Sequence, residues 1–151
     1  DKQDGDSLND IITFFGNEGD IQINTRLSTF DSSFEISGSG NSDLLNEYNS
    51  IIRKYNMQNL DLLEIFYNAQ IENNQTRIDS VNSELENLIR KKYLYTLNFS
   101  ITNSANEISP YIAVSQIPDA NVDLLRKVYD TLPESIKDSK YGKILKEITI
   151  D

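Results

Sequence analysis

Between Ile78 and Tyr95 the apolar residues recur at alternating intervals of three and four. They are Ile78, Val81, Leu85, Leu88 and Tyr95, and Lys92 is the one polar residue in the repeat. Residues three and four apart share one face of an α-helix, so the pattern predicts a helix with a narrow, coiled-coil-like seam. A seam of this kind must pack against another helix.

A matching stripe lies upstream, in a helix predicted to begin near Ser42 with Asn41 or Ser42 as its N-cap. The stripe comprises Leu44, Tyr48, Ile51, Ile52, Tyr55, Leu60, Leu63 and Tyr67. Between Leu60 and Ile71 apolar residues occur on both sides of the helix, which predicts burial against more than one neighbour. The two stripes together predict an antiparallel helical hairpin. Residues 72–75 are its predicted turn, and one unbroken helix through them is the alternative, because they contain neither Gly nor Pro.

The N-terminal residues have a different pattern. The run 11–15 is apolar and β-rich, residues 16–19 have turn chemistry, and Ile21 and Ile23 alternate with polar residues as in a half-buried strand. These segments predict a β-hairpin. Residues 34–36 are a third extended segment, after which the glycines of 37–40 interrupt regular structure.

The segment from Tyr93 to Ile101 alternates as a strand would, yet the helical seam continues in phase through Tyr95 and Phe99, and we predict helix there. After a loop at 103–106, short helices are predicted at 108–116, with Pro110 in the first turn, and at 122–132, capped by Asn121. A last helix is predicted at 141–148, interrupted early by Gly142.

These elements predict an α+β fold that is mostly α. A short N-terminal β-hairpin or sheet remnant is followed by a long antiparallel helical hairpin and short C-terminal helices. Residues 1–40 form the β region, interpreted as the end of a truncated β-sheet, and residues 41–151 form the helical region. The two together are interpreted as one domain fragment, of a size that can bury its own core.

Composition narrows the classes of function. The formal net charge is -10, with 24 acidic and 14 basic residues, which disfavours binding to nucleic acid or to anionic lipid. The chain contains no Cys and no His, so thiol chemistry, imidazole bases and most zinc or copper sites are excluded. No apolar run approaches the ~20 residues of a membrane span. We expect no cofactor, no nucleic-acid partner and no insertion of this chain into a membrane.

The remaining polar clusters are better explained by surface and turn chemistry than by catalysis. Glu84 and Glu86 are two residues apart on a helix and point in different directions. Asp1, Asp4 and Asp6 lack the ligand spacing of a calcium loop. We therefore predict no catalytic residue and no metal ligand. The candidate for a binding surface is a groove lined by Tyr55, Tyr67 and Tyr93.

Two stretches of the chain resemble a known family. The first comprises 12–23, 34–39 and 44–48, and the second comprises 99–103, 109–112, 128–134 and 139–143. They are similar to the N-terminal domain of unknown function that precedes the thioredoxin-like domain in ResA/TlpA-type thiol-disulfide oxidoreductases of Bacteroidetes. In that family a Gly-Asp-Ile strand motif, here Gly19-Asp20-Ile21, leads through a Gly-Ser segment to a helical hairpin and a tail resembling Tyr129 to Gly142. The family's catalytic Cys-x-x-Cys domain corresponds to no residue of this chain.

The resemblance implies a periplasmic or outer-membrane lipoprotein and a role in cell redox homeostasis. It implies a C-terminal thioredoxin-like domain, or a separate protein, as partner, and a dimer is also left open. In the same bacterial context Asp-Ser/Thr-aliphatic triplets are O-glycosylation signals, which makes Ser7, Ser80 and Thr131 candidate modification sites.

Three hypotheses about function follow. The leading one is a non-catalytic accessory or interaction domain of an envelope thioredoxin-like oxidoreductase, which positions a substrate or partner. The alternative is a stand-alone helical protein that binds a peptide or small ligand in the tyrosine-lined groove. The third is a hydrolase whose Asp/Glu pair is brought together by the fold.

Overall fold

The computed structural model describes residues 14–16, 20–26, the backbone of 34–37, and 40–150. The predicted fold class is confirmed, since the described residues are mostly helical with a small β element. The elements are β1 (Gln22–Thr25), β2 (Phe34–Ser37), α1 (Gly40–Ile71), α2 (Gln75–Thr102), α3 (Ile108–Gln116), α4 (Val122–Thr131), α5 (Glu134–Lys137) and α6 (Lys140–Thr149). Their contacts divide the chain into two compact units, Asp1–Leu45 and Asn46–Asp151, with the boundary inside α1.

In the first unit, β1 and β2 form a two-stranded antiparallel sheet in which Gln22 pairs with Ser37 and Thr25 with Phe34. The sequence predicted that Ile21 and Ile23 would pair with the run 11–15 instead. Phe14, Phe15 and Gly16 adopt no regular secondary structure, and residues 11–13 lie outside the described residues. The third extended segment is therefore the strand partner of β1. Antiparallel strands can be joined by connections of different length, and hydrophobic alternation alone does not choose between them.

The start of α1 differs slightly from the prediction. Because the helix begins at Gly40, both predicted N-cap residues, Asn41 and Ser42, lie inside it. The Ser42 hydroxyl bonds instead to the backbone of Phe15: it accepts from the Phe15 amide at 3.2 Å and donates to the Phe15 carbonyl at 3.0 Å. Ser42 is 1% exposed, so these bonds satisfy a hydroxyl that would be costly to bury alone.

The predicted helical hairpin forms in the second unit. The helix α1 ends at Ile71, α2 begins at Gln75, and the turn falls where the sequence placed it, so one unbroken helix is excluded. Asn73 has a positive φ of 52°, a conformation that Asn adopts more readily than most residues. Asn74 then caps α2 by accepting a hydrogen bond from the Arg77 amide at 3.1 Å. The segment 93–101 is helical, as predicted, because α2 continues to Thr102.

The seam residues of α2 are confirmed. Val81 and Leu88 are buried, and Ile78, Leu85, Lys92 and Tyr95 are half-buried. On α1 the predicted stripe is correct through Tyr55 and at the half-buried Leu63, and wrong at Leu60 and Tyr67, which are 65% and 60% exposed. The other protected positions of this segment are Asn59, Leu62, Ile65, Phe66 and Ala69. The seam keeps its three-and-four spacing, but a polar residue, Asn59, occupies one of its positions.

The C-terminal core is formed by the end of α2 and the helices α3 to α6. The helix α3 packs on α2 and α6, and α4 packs on α6. The buried residues of this core are Leu97, Ala113, Ile117, Leu125, Val128, Leu132, Ile136 and Leu145. The apolar face predicted for α4 is confirmed, because Leu125 and Val128 are 0% exposed and Leu124 and Tyr129 pack beside them.

Hydrogen bonds fix the ends of these short helices. The predicted cap Asn121 accepts from the Asp123 amide at 2.8 Å, and Ser139 caps α6 by accepting from the Gly142 amide at 3.1 Å. Arg126 of α4 donates to the Thr149 carbonyl at 3.0 Å. The negative end of the α6 dipole lies there and stabilises a cation.

At Gly142 the backbones of α6 and α5 lie close together. A Cβ atom built there would lie 2.1 Å from the Ile136 carbonyl oxygen and 2.6 Å from that of Lys137. The sequence suggested that Gly142 interrupts the helix. Its missing side chain instead allows α6 to pass close to the backbone of α5.

Candidate functional site

An aromatic cluster joins α1 to α2 near the base of the hairpin. The Tyr48 and Tyr95 rings stack with centroids 5.7 Å apart, and Phe99 lies 5.1 Å from the Tyr48 ring. Tyr55 extends the cluster, its ring 6.1 Å from that of Tyr95. Pairs of this geometry stabilise a packed seam beyond the area that they bury.

The Tyr48 hydroxyl forms the cluster's buried polar contact, at 2.9 Å from the Thr96 hydroxyl. The single proton of the Thr96 hydroxyl is donated to the Lys92 carbonyl at 2.9 Å, so Tyr48 must be the donor toward Thr96. Burial raises the pKa of the Tyr48 hydroxyl, and the nearby Tyr95 raises it further. At neutral pH Tyr48 is a neutral, structural donor.

The candidate groove residues Tyr55, Tyr67 and Tyr93 lie in three different places. Tyr55 is half-buried in the aromatic cluster, Tyr67 is 60% exposed beside Phe66, and Tyr93 packs against the C-terminal core. Twelve residues of helix separate Tyr55 from Tyr67, about 18 Å along the axis. Tyr93 is two residues from Tyr95 and points to another side of α2. The structure does not bring the three rings together.

A different groove lies along the hairpin, between α1 and α2. It is open, has a volume of about 390 Å³, and is lined by Gln58, Asp61, Leu62, Glu84, Asn87, Leu88 and Lys91, which we call the hairpin groove. Its floor is the apolar seam, and its walls carry two carboxylates, two amides and one ammonium group. The sequence analysis assigned Glu84 to the solvated surface, and it is an exposed residue at the wall of this groove.

The side of α1 that faces away from the seam carries a second apolar row. Met57, Leu60, Tyr67 and Ile71 are 67%, 65%, 60% and 78% exposed. With Glu64 between them, their positions follow the intervals three, four, three and four, so they lie on one face of the helix. We call these five residues the outer stripe. Among the described residues, the burial against a second neighbour that the sequence predicted for this segment is therefore missing on this face.

The residues along the outer stripe carry acidic groups. From Tyr55 to Thr76 the sequence contains Asp61, Glu64 and Glu72 and no Lys or Arg, and the nearest basic residues before it are the exposed Arg53, one turn before Met57, and Lys54. All three carboxylates are exposed, and the ion pairs recorded among the described residues lie elsewhere, in α4 and α5. The outer stripe is thus an apolar row with an unneutralised negative charge at its centre.

The other residues singled out in the sequence offer little chemistry. Ser80 is exposed, with its hydroxyl 3.4 Å from Glu84, and the exposed Thr131 donates to the Val128 carbonyl at 2.7 Å. Asp1, Asp4, Asp6 and Ser7 lie outside the described residues. Within the described ranges no group of three or more acidic side chains is arranged to hold a metal ion, and no helix there is long and apolar enough to cross a membrane.

Comparison of the chain with known protein families, with curated proteins and with solved structures gives no match.

The sequence analysis did not identify the outer stripe, because it assigned two of its residues, Leu60 and Tyr67, to the seam. The signal that could have separated the two is the three-and-four phase itself, which from Tyr48 leads through Asn59 to Leu62, Phe66 and Ala69 if a polar residue is allowed in the seam.

Proposed function

We propose that this chain is a non-catalytic interaction domain, and that it serves as the accessory domain of an envelope thioredoxin-like thiol-disulfide oxidoreductase. The observation that carries the proposal is the outer stripe. Four large apolar side chains, each exposed by 60% or more, form one row on a helix whose opposite side is already packed. Large apolar side chains exposed along one helix face are typical of protein interaction sites.

The oxidoreductase context is supported by the sequence resemblance. The residues that carry its second stretch have structural roles in the second unit. Ser109 is 0% exposed and donates to the Ser100 carbonyl at 2.6 Å, Val128 and Leu132 are in the C-terminal core, and Gly142 allows α6 to pass α5. A family defined by such residues shares a scaffold, and its chemistry resides in the thioredoxin-like domain.

The experiment that tests this function is the intact mass of the protein captured from its native cells with an antibody against residues 46–150. We expect a mass above 17.2 kDa by about one further domain, and tryptic peptides that contain Cys-x-x-Cys in the same polypeptide. The recombinant 151-residue chain, carried through the same procedure, gives the reference mass. A native mass near 17.2 kDa, or reduction of a disulfide substrate by the isolated chain, would contradict the proposal.

The hairpin groove favours a second candidate function, the binding of a small ligand or peptide by a stand-alone protein. Its volume of about 390 Å³ is within the range of ligand sites, and it combines an apolar floor with polar walls. The same native preparation separates the two functions. Under non-denaturing conditions a bound ligand would add a small mass increment that disappears on denaturation, without any Cys-x-x-Cys peptide.

A further inference from the structure

The structure assigns an occupant to the outer stripe: an amphipathic helix of another protein, apolar along one face and flanked by Lys and Arg. This inference rests on the proposed interaction function and adds the chemistry of the partner. Its evidence is the spacing of the stripe, its length and its charge.

Spacing and length indicate a helix. The outer stripe alternates intervals of three and four from Met57 to Ile71, which is the repeat by which helices interlock side chains. Those fifteen residues of α1 span about 21 Å, the length of a partner helix of about two heptads. A partner helix lying along α1 would cover all four apolar side chains at once, and α1 would then be packed on both sides, as its sequence pattern predicts.

The charge of the outer stripe indicates that the partner helix is basic. Glu64 interrupts the apolar row at its midpoint, and Asp61 and Glu72 lie near it on the same helix, with no basic residue between Tyr55 and Thr76. One basic residue of α2, Lys91, lines the hairpin groove, which Asp61 also lines. Lys or Arg beside the apolar face of a partner would meet Glu64 and Glu72, in the way that flanking charges select partners in coiled coils.

The same charge disfavours a second copy of this chain. With two outer stripes in full register, a parallel and an antiparallel pairing both place Glu64 of one copy against Glu64 of the other. Each copy also carries a formal net charge of -10. Like charges directly opposed across an interface destabilise it, whereas a basic helix is attracted.

Three synthetic helical peptides labelled with a fluorophore test the inference by fluorescence anisotropy against the 151-residue chain at physiological salt. The first has Leu at a and d and Lys at e and g of its heptads. The second replaces every Lys with Glu, and the third keeps Lys and replaces every Leu with Gln. We expect the first peptide to bind at least about tenfold more tightly than either control, because it alone matches both the apolar row and the charge.

Single substitutions locate the binding. Leu60→Gln should weaken the first peptide at least about tenfold, and Glu64→Lys should weaken it while strengthening the acidic peptide. Ile150→Gln is the matched control, because Ile150 is 63% exposed at the end of α6, and it should leave binding unchanged. Far-UV circular dichroism verifies that each variant is folded.

Each other result overturns the inference. Equal binding of the acidic peptide contradicts the basic chemistry of the partner, and equal binding of the Gln peptide shows attraction by charge without docking on the stripe. No binding of any peptide excludes a helix at this face. A dimer in sedimentation velocity that Leu60→Gln dissociates identifies a second copy as the occupant. The native-mass experiment is independent of these results, so a failure of the proposed function is recognised separately.

Discussion

The C-terminal core and the outer part of the hairpin use their apolar residues in opposite ways. In the core, residues from five helices converge, and Leu125, Val128 and Leu145 are 0% exposed. In the hairpin from Asn56 to Lys91 two helices share one seam, and the large apolar residues on the far side of α1 remain exposed. A helix pair can bury only one face of each member, so the second apolar face of α1 is available for function, whereas the apolar residues of α4 and α6 are committed to stability.

Truncation of one leucine in each region tests this difference and has the largest expected effect. Leu125→Ala should lower the free energy of unfolding by about 2–5 kcal/mol, because it leaves a cavity in a closed core. Leu60→Ala should change it by no more than about 0.5 kcal/mol, because the side chain is 65% exposed. Urea denaturation followed by circular dichroism measures both. Equal losses would mean that the outer stripe is part of the folded core.

Glycine substitutions test how closely the core helices approach. Gly142→Ala should lower the free energy of unfolding by about 1–3 kcal/mol, since its methyl group would meet the carbonyl oxygens of Ile136 and Lys137 and the backbone of α5 would have to move. Gly40→Ala is the control, because a Cβ at Gly40 meets no atom within 4 Å. If both variants unfold at the same urea concentration, the close passage of α6 against α5 is not a constraint on the core.

The smallest expected loss of unfolding free energy is that of a substitution in the hairpin seam. Tyr48→Phe should cost about 0.5–1.5 kcal/mol at neutral pH, the value of one buried hydrogen bond, because Thr96 keeps its own acceptor in the Lys92 carbonyl.

The pH dependence of that variant follows from the raised pKa of the Tyr48 hydroxyl. The folded state holds this proton more tightly than the unfolded state, so the contribution is complete below the ordinary tyrosine pKa of 10.0 and is lost as the pH rises through the folded value. The unfolding free energy of the wild type should therefore fall more steeply above pH 10 than that of Tyr48→Phe. Part of the fall should persist in the variant, because burial also raises the pKa of Tyr95, with further contributions from Glu47 and Tyr55. Parallel pH profiles would show that Tyr48 does not titrate differently in the folded state.

Most of the helical architecture was predictable from local signals. Asn121 before the apolar face of α4, Pro110 in the first turn of α3 and the polar turn after Ile71 are all readable in the sequence, and the structure has helix ends at or near each of them. Local signals failed where the choice depends on a partner distant in sequence. The pairing of β1 with β2 is one case, and the half-buried seam position occupied by Asn59 is another.

The candidate site was less predictable than the fold. Tyr55, Tyr67 and Tyr93 share a residue type, and which side each ring takes is set by the phase of its helix. Tyr93 and Tyr95 are close in sequence but serve different packing surfaces. The outer stripe could not be distinguished from core by hydrophobicity, since the same residues are expected in both places. The helical phase from Tyr48 separates them only if the polar Asn59 is accepted as a seam residue.

Because α2 is continuous, its two halves should differ in how often their backbone hydrogen bonds open. This one helix runs without interruption from Gln75 to Thr102; its first half packs on α1, while its last turns are fixed by the C-terminal core. Backbone amides near Val81 can exchange with solvent through partial openings that separate the tip of the hairpin, whereas amides near Leu97 exchange only when the core itself opens. Protection should therefore increase along a single helix, and the tip of the hairpin can open and close again while the rest of the second unit stays folded.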